Sequence, residues 1–345
     1  MVFGVVVLAA LAALVLFIAF GGPTLPADTD RMVDEVSRAD LSHVVAGTTG
    51  MADSNGVRIW YESIDPEATP KGTVLLCLSM GGNALYWPPS YIRAFLDAEY
   101  SVIRYDHRDA GMSDRIVEWD RKNPYSLIEM AADGVAVLDA LEVGKAHVVG
   151  LSLGGMVAQE IAVACPDRVA SLTLMSTSGD ATDPDLPGLS TRYLLGSAFK
   201  GLPLLKYRLL GGERNRVKEI IAKMSSVVGP DELDMREMAE VVLYDLRERR
   251  GVNMNAVLRH QAAVAATRGR HALLGSLSVP TLVIHGTDDR MLPFDHGKKL
   301  ADSIPTAERI FLDGVGHVFP YPGMSSVTER IISFIDRATE PDTGA

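Results

Sequence analysis

A serine with a glycine two positions away on each side, Gly150-Leu151-Ser152-Leu153-Gly154, stands where two runs meet. An apolar, β-branched run from about Ala146 enters it, and a helix-tolerant run from Met156 to Ala164 leaves it. Strand, sharp turn, serine and helix together form the pattern of a nucleophile elbow. So tight a turn strains the serine backbone, and the positions two residues away, Gly150 and Gly154, must lack bulk. The positive end of the following helix then favours negative charge developing beside the hydroxyl. A serine hydroxyl is a poor nucleophile until a base takes its proton, and the base needs a third group to orient it. Both are present downstream, in the order serine, acid, histidine. Gly286-Thr287-Asp288-Asp289-Arg290-Met291-Leu292-Pro293 follows one buried-strand pattern, and Gly314-Val315-Gly316-His317 follows another. His317 reads as general base and Asp289 as its orienting acid. Asp288 competes for that role, and the carboxylate not facing the imidazole is expected to accept a backbone hydrogen bond in its own turn. The backbone N–H of Leu153, directly after the serine, is placed to donate to a developing oxyanion.

Residues with these roles must be brought to one edge of a sheet. Val57 to Ser63 alternates apolar and polar and reads as a half-buried strand. Thr73 to Ser79 is a continuous apolar run, as expected of a strand covered on both faces. A helix at about Pro89 to Asp97, a strand at Ser101 to Tyr105, a helix at about Ser126 to Leu141 and a strand at His147 to Leu151 follow, then a strand at Val169 to Met175. Alternating strand and helix predicts an α/β fold with a doubly wound, mostly parallel sheet. Between about Ser178 and Leu277 strand patterns stop and amphipathic helical stretches appear, at Arg216 to Ser225, Glu232 to Arg247 and Ala256 to Ala266. Val279 to Ile284 then restores the strand signal. A helical insertion between two parallel strands predicts a lid over the carboxyl edge, where open α/β sheets bind ligands. Met235 and Met238 on it read as packing of the lid itself. Helices at Asp295 to Ser303 and Met324 to Arg337 flank a strand at Arg309 to Leu312. The domain expectation is an anchor or signal at 1–22, a linker at 23–50 with room for a short helix near Arg31 to Arg38, a core at 51–177 and 278–338, a lid at 178–277 and a tail at 339–345.

The chain has 345 residues, 47% hydrophobic and 22% charged, with 33 basic and 44 acidic side chains and a formal charge of −11. No basic stripe exists to neutralise phosphates, which argues against a nucleic-acid partner. The two cysteines, Cys77 and Cys165, make no disulfide framework and read as small buried hydrophobes. No His, Cys, Asp and Glu grouping has metal-ligand spacing, and neither a metal nor a cofactor is expected. His107-Arg108-Asp109 reads as a tight structural loop, because no glycine-rich loop or matching lysine precedes it.

Val2 to Phe20 is apolar without a single charge, long enough for the ~30 Å hydrocarbon core. It lacks the basic start and short apolar stretch of a secretory signal. Residues 2–20 are therefore expected to form a helix anchoring the protein to a membrane, a cleaved signal being the alternative. Asp28, Asp30 and Asp34 outnumber Arg31 after the span, which places the following domain outside the cytoplasm or, if the segment is cleaved, in a secreted form.

From about Gly56 to Asp336 the chain resembles an α/β-hydrolase, and within that superfamily the aclacinomycin methylesterase type. The matching stretches are Met80-Gly81-Gly82-Asn83 with Trp87-Pro88, Val102 to Asp109, Ala146 to Ser152, Val279 to Ile284, His296-Gly297-Lys298 and Ile304-Pro305-Thr306-Ala307. The resemblance implies the α/β-hydrolase fold and puts the acid four residues before Pro293, at Asp289. It also implies a second oxyanion donor, the N–H of Gly82, in the loop after the first buried strand. Many relatives carry His-Gly there; this chain has Met80-Gly81, a departure that the methylesterase-like group shares. His285-Gly286 precedes the acid and is no substitute for that loop. The function implied is a serine hydrolase acting on a small carboxylic ester through an acyl-enzyme. A lipase or thioesterase acting on a membrane-borne substrate is the first alternative, and a ligand-binding protein on the same fold is the remote one. The sequence leaves the acyl and alcohol groups and the oligomeric state open.

Overall fold

The computed structural model describes residues 12–188, 196, 199, 201–228, 234–317 and 324–339. In chain order the elements are α1 (Thr29–Val36), β1 (Thr48–Ser54), β2 (Val57–Ile64), β3 (Gly72–Cys77), α2 (Pro89–Asp97), β4 (Tyr100–Tyr105), α3 (Leu127–Ala140), β5 (Ala146–Leu151), α4 (Leu153–Ala164) and β6 (Val169–Met175). There follow α5 (Leu205–Leu210), α6 (Gly212–Val228), α7 (Met235–Glu248), α8 (Met254–Ala266), α9 (His271–Leu274), β7 (Thr281–Gly286), α10 (Phe294–Ser303), β8 (Ala307–Leu312) and α11 (Ser325–Thr339). The strands form one eight-stranded sheet in the order β1-β2-β4-β3-β5-β6-β7-β8. The pairs β1–β2 and β2–β4 are antiparallel and the others parallel.

The continuous apolar runs are buried on both faces because side chains alternate across a strand. Along β3, Val74 and Leu76 enter one core layer, with α2, α11, α6 and α7. Leu75 and Cys77 enter the other, with α3, α4 and α10. From β3 the chain returns first to β4 on one side and then to β5 on the other. That reversal opens the carboxyl ends of β3 and β5 to a ligand. Register places Cys77 opposite Gly150 there, so the loop after β3 and the elbow after β5 are neighbours.

Several expectations change in detail. Residues 23–50, read as a polar linker with room for a short helix near Arg31 to Arg38, carry that helix as α1, and its Val33 and Val36 are buried in the α6–α7 side of the core. Two apolar residues three apart on a short polar helix dock it, but they are too sparse to mark it in advance as part of the core. β1 begins at Thr48, ahead of the expected start at Met51, and pairs with β2 along its full length. After Thr48 and Thr49, its Gly, Ala, Asp and Ser residues carry little strand signal by themselves. Cys165 is half-buried where it was expected to be buried, because it follows the last turn of α4; Cys77 is buried.

The expected membrane helix at 2–20 begins outside the described residues. Residues 12–20 are helical. Phe17 stacks on Phe199 with ring centroids 4.5 Å apart, and the Lys206 ammonium donates to the Gly21 carbonyl at 3.0 Å. Among the described residues no helix is long and apolar enough to cross a membrane.

Candidate active site

Ser152 sits between β5 and α4 with φ 55° and ψ −115°, a region that side chains rarely adopt. Its backbone is tied down on both sides. The N–H donates to the Met175 carbonyl at 2.9 Å, and the carbonyl accepts from the Thr177 hydroxyl at 2.7 Å and the Gly155 N–H at 3.0 Å. The two glycines of the motif answer to close packing. A Cβ on Gly154 would overlap the Cys77 carbonyl at the end of β3, and one on Gly150 would overlap the backbone of Gly154 and Gly155. Among the described residues no hydrogen bond uses the N–H of Leu153 or of Gly82. Leu153 opens α4, so its N–H is one of the helix donors left without an intrahelical partner.

Asp289 lies three residues beyond β7, and His317 lies in the loop beyond β8. The His317 Nδ1 donates to Asp289 Oδ2 at 2.7 Å. The other oxygen, Oδ1, accepts the N–H groups of Met291 at 2.8 Å and Leu292 at 2.9 Å. Burial alone would raise the Asp289 carboxyl. The hydrogen bond and charge of His317, the Leu292 N–H and the nearby His285 outweigh it and hold the group below its ordinary value. An ionised carboxylate only accepts, so the imidazole proton stays on Nδ1 and Nε2 is left as a base. The acid and the turn acceptor are thus one residue, where two were expected. Asp288 is exposed and joins the turn through its backbone N–H, which donates to the Val315 carbonyl at 2.9 Å. That bond and the one from Thr287 N–H to the Leu312 carbonyl, 2.9 Å, hold the acid loop against the histidine loop. Ser152, Asp289 and His317 all leave the carboxyl ends of the parallel strands β5, β7 and β8.

The loop after β3 is held more tightly. Gly81, at φ 69°, is buried, whereas Gly82 is partly open. Asp106, fully buried beyond β4, accepts the Ala84 N–H and the Met112 N–H, each at 2.7 Å, and pairs with Arg249 from the end of α7. Burial raises the Asp106 carboxyl in spite of Arg249. His107 donates to the Leu78 carbonyl at 2.9 Å, and His260 on α8 faces the Gly81 N–H at 3.1 Å. Arg108 is bidentate to the buried Asp133 at 2.7 and 2.6 Å, and Asp109 pairs with Arg259. The 107–109 loop is thus a packed structural loop with every charge matched.

Sequence reasoning missed three of these partners. Arg249 and His260 lie in the helical insertion, far along the chain from the loops they hold. The available signal for His260 is a polar residue on the buried stripe Ala256, His260, Ala263 of α8. His285 is the third. It donates to the Leu292 carbonyl at 2.8 Å and lies 3.4 Å from Asp289 Oδ2, behind the acid. Among the described residues no group of three His, Cys, Asp or Glu side chains is arranged to hold a metal ion.

Residues 72–323 match the family model described as alpha/beta hydrolase fold. Rhodomycin D methylesterase DauP of Streptomyces sp. (strain C5) is 32% identical over 293 residues, covering 79% of this chain and 93% of that one. The putative carbamate hydrolase RutD of Azorhizobium caulinodans is 30% identical over 282 residues, covering 79% of this chain and 94% of that one. Among solved structures, a hydrolase from Pseudomonas aeruginosa PA01 superposes with a TM-score of 0.60 at 25% identity, over 86% of this chain and 100% of that one.

Proposed function

The chain belongs to the alpha/beta hydrolase fold family and is a hydrolase, and from that premise we propose that it cleaves small carboxylic esters, methyl esters foremost, through an acyl-enzyme on Ser152. The observation that carries this reading is the 2.7 Å bond from His317 Nδ1 to the buried Asp289, on the same sheet edge as a serine in a strained turn. Ser152 Oγ attacks the acyl carbon while His317 Nε2 takes its proton. The carbonyl oxygen becomes an oxyanion facing the N–H groups of Leu153 and Gly82. Collapse expels the alcohol, methanol from a methyl ester, which leaves with the proton from His317. Water, deprotonated by the same imidazole, then releases the acid and restores the serine. Asp289 keeps the imidazole in the right tautomer and stabilises its charged form. The helices between β6 and β7 act as the lid that shapes substrate choice.

A fluorophosphonate probe is expected to label the protein at Ser152 and to compete with ester hydrolysis. A panel of methyl and p-nitrophenyl esters of graded acyl size then reads out the substrate class. Labelling absent from a folded, full-length protein rejects the reading.

The location is a second part of the proposal. Residues 2–20 anchor the enzyme at a membrane with the catalytic domain outside the cytoplasm, a secreted form being the alternative. The charge-free run supports this, as does the exposure of Leu14, Val15, Leu16 and Phe20 in its helical part. Such a site would favour a lipase- or thioesterase-like substrate held in the bilayer. Full-length protein should remain with membranes after a carbonate wash, and a chain lacking residues 1–27 should be soluble with its esterase rate unchanged. Recovery of the full-length chain in the soluble fraction defeats the anchor.

A further inference from the structure

Two buried imidazoles bracket the short loop that leaves β3, and neither takes part in the proton transfers above. His107 Nε2 donates to the Leu78 carbonyl at 2.9 Å. His260 comes from the opposite side, on α8 of the helical insertion, and is fully buried. Its Nδ1 lies 3.1 Å from the Gly81 nitrogen and its Nε2 lies 2.9 Å from the Arg108 carbonyl. A backbone N–H only donates and a carbonyl only accepts, so these partners fix the tautomer: Nδ1 accepts from Gly81, and Nε2–H donates to Arg108. The two rings meet edge to face, with centroids 5.8 Å apart. α8 also touches the loop directly, since a Cβ on Gly81 would overlap the Val257 side chain. Burial lowers the His260 pKa, in keeping with a neutral ring that holds both bonds.

The Gly81 N–H lies one residue before the amide assigned to the oxyanion. Gly81 is at φ 69°, a conformation glycine adopts readily and that leaves the following peptide free to turn unless something else holds it. We propose that His260 is a positioning residue of the oxyanion hole: by binding the Gly81 N–H it fixes the Met80–Gly81 peptide on one side of the loop while Asp106 holds the Ala84 N–H on the other, and between these two anchors the Gly81–Gly82 peptide is kept with the Gly82 N–H aimed at the substrate oxygen. This deepens the proposed function and rests on its assignment of Gly82. It also makes the helical insertion part of the catalytic apparatus. α8 must be seated before the hole has its second donor, so a ligand that shifts the insertion shifts catalysis as well as binding.

The test separates the two ring nitrogens. Asparagine places its Oδ1 near the position of Nδ1 and keeps the acceptor for Gly81. Glutamine places its Nε2 near the position of Nε2–H and keeps only the donor to Arg108. His260→Phe and His260→Gln are expected to lower kcat by about 10- to 100-fold, the cost of a misplaced oxyanion donor, with KM within about threefold of wild type. Affinity for a trifluoromethyl ketone, which forms the tetrahedral adduct, should fall by a similar factor. His260→Asn should recover most of both losses. A purely structural histidine predicts otherwise: the three variants would lose activity in step with their melting temperatures, or glutamine would rescue as well as asparagine, and either result overturns the inference. So do wild-type kcat values in all three. The wild type is labelled with a fluorophosphonate in parallel. Failure of that control removes the serine-hydrolase reading and the inference together, whereas a labelled, active wild type with indifferent His260 variants removes the inference alone.

Discussion

His317 hangs from a loop beyond β8 with 11% of its side chain open to solvent and, among the described residues, a single carboxylate partner. The Gly81–Gly82 loop beyond β3 lies at the same sheet edge, but it is held by two imidazoles, a buried carboxylate and a buried arginine. The difference follows from what each part has to do. A general base carries a proton from the serine to the leaving group and later takes one from water, so its ring needs room and access. An oxyanion donor works only if it already points at the place where charge appears, because reorienting it during the reaction would cost what it contributes. Among the described residues the base is therefore held by one charge-assisted bond, to the Asp289 carboxylate. The oxyanion loop is held from several elements at once, by Asp106 and His107 beyond β4 and by Arg249 and His260 on the helical insertion.

Breaking the acid–base half should have the largest effect. Ser152→Ala is expected to lower kcat by roughly 10⁴- to 10⁶-fold, and Asp289→Asn by roughly 10⁴-fold, with little further loss when the two are combined. Asp288→Asn, at an exposed side chain, should stay within about twofold. A severe Asp288 variant beside a mild Asp289 one would move the acid by one residue.

The oxyanion half should break through stability as well as rate. Arg249 and Asp106 are both buried, and Arg249 also lies over the Trp60 ring, 4.2 Å from its centroid. Arg249→Leu leaves the Asp106 charge without its partner and should cost about 3–5 kcal/mol in chemical denaturation. Asp106→Asn in the same chain should return part of that loss. If the single Arg249 variant is as stable as wild type, the pair does not clamp the loop.

Gly82→Val should be milder in stability and visible in rate. A Cβ there would sit 2.8 Å from the buried Leu78 side chain, tight enough that either that side chain or the peptide must move. The expected loss is about 100-fold in kcat with KM little changed, the scale of one missing oxyanion donor. A wild-type kcat would take Gly82 out of the hole.

The smallest effect sharpens the contrast through pH. Burial, with the nearby Asp106 charge adding to it, pushes the Asp245 carboxyl on α7 up to about 6, against Arg249 and Asn83. The stability this raised value contributes is present in full below the ordinary carboxylate range and is lost as pH rises through about 6. Asp245→Asn should therefore be more stable than wild type at pH 7–8 by roughly 2 kcal/mol, with the gap closing toward pH 4. Asp289 has the opposite sign. Its lowered carboxyl stabilises above the ordinary range and ceases to do so in acid. A gap between Asp245→Asn and wild type that does not vary with pH would show that the Asp245 carboxyl is not under strain.

The residues proposed for the chemistry make a pattern legible in the sequence, because local geometry demands particular side chains at fixed spacing. A serine in a turn at φ 55° needs Gly150 and Gly154 beside it, and buried parallel strands need continuous apolar runs such as Val279 to Ile284. Two neighbouring aspartates could not be told apart by spacing alone. The resemblance chose Asp289, and the structure shows that residue bonded to His317 while Asp288 faces solvent. Strand β1 and the buried valines of α1 escaped notice, because neither has enough apolar residues to make a pattern. What only the tertiary structure decided is which distant side chains hold the oxyanion loop. His260 meets Gly81 across 179 positions of sequence and Arg249 meets Asp106 across 143. No short-range rule links residues so far apart; they meet because the sheet order puts β3 beside β4 and because the insertion between β6 and β7 lays α7 and α8 against the loops that follow those strands. Local sterics write themselves into neighbouring residues, whereas a buried hydrogen bond across the fold requires only that some donor meet some acceptor, and many sequences satisfy that.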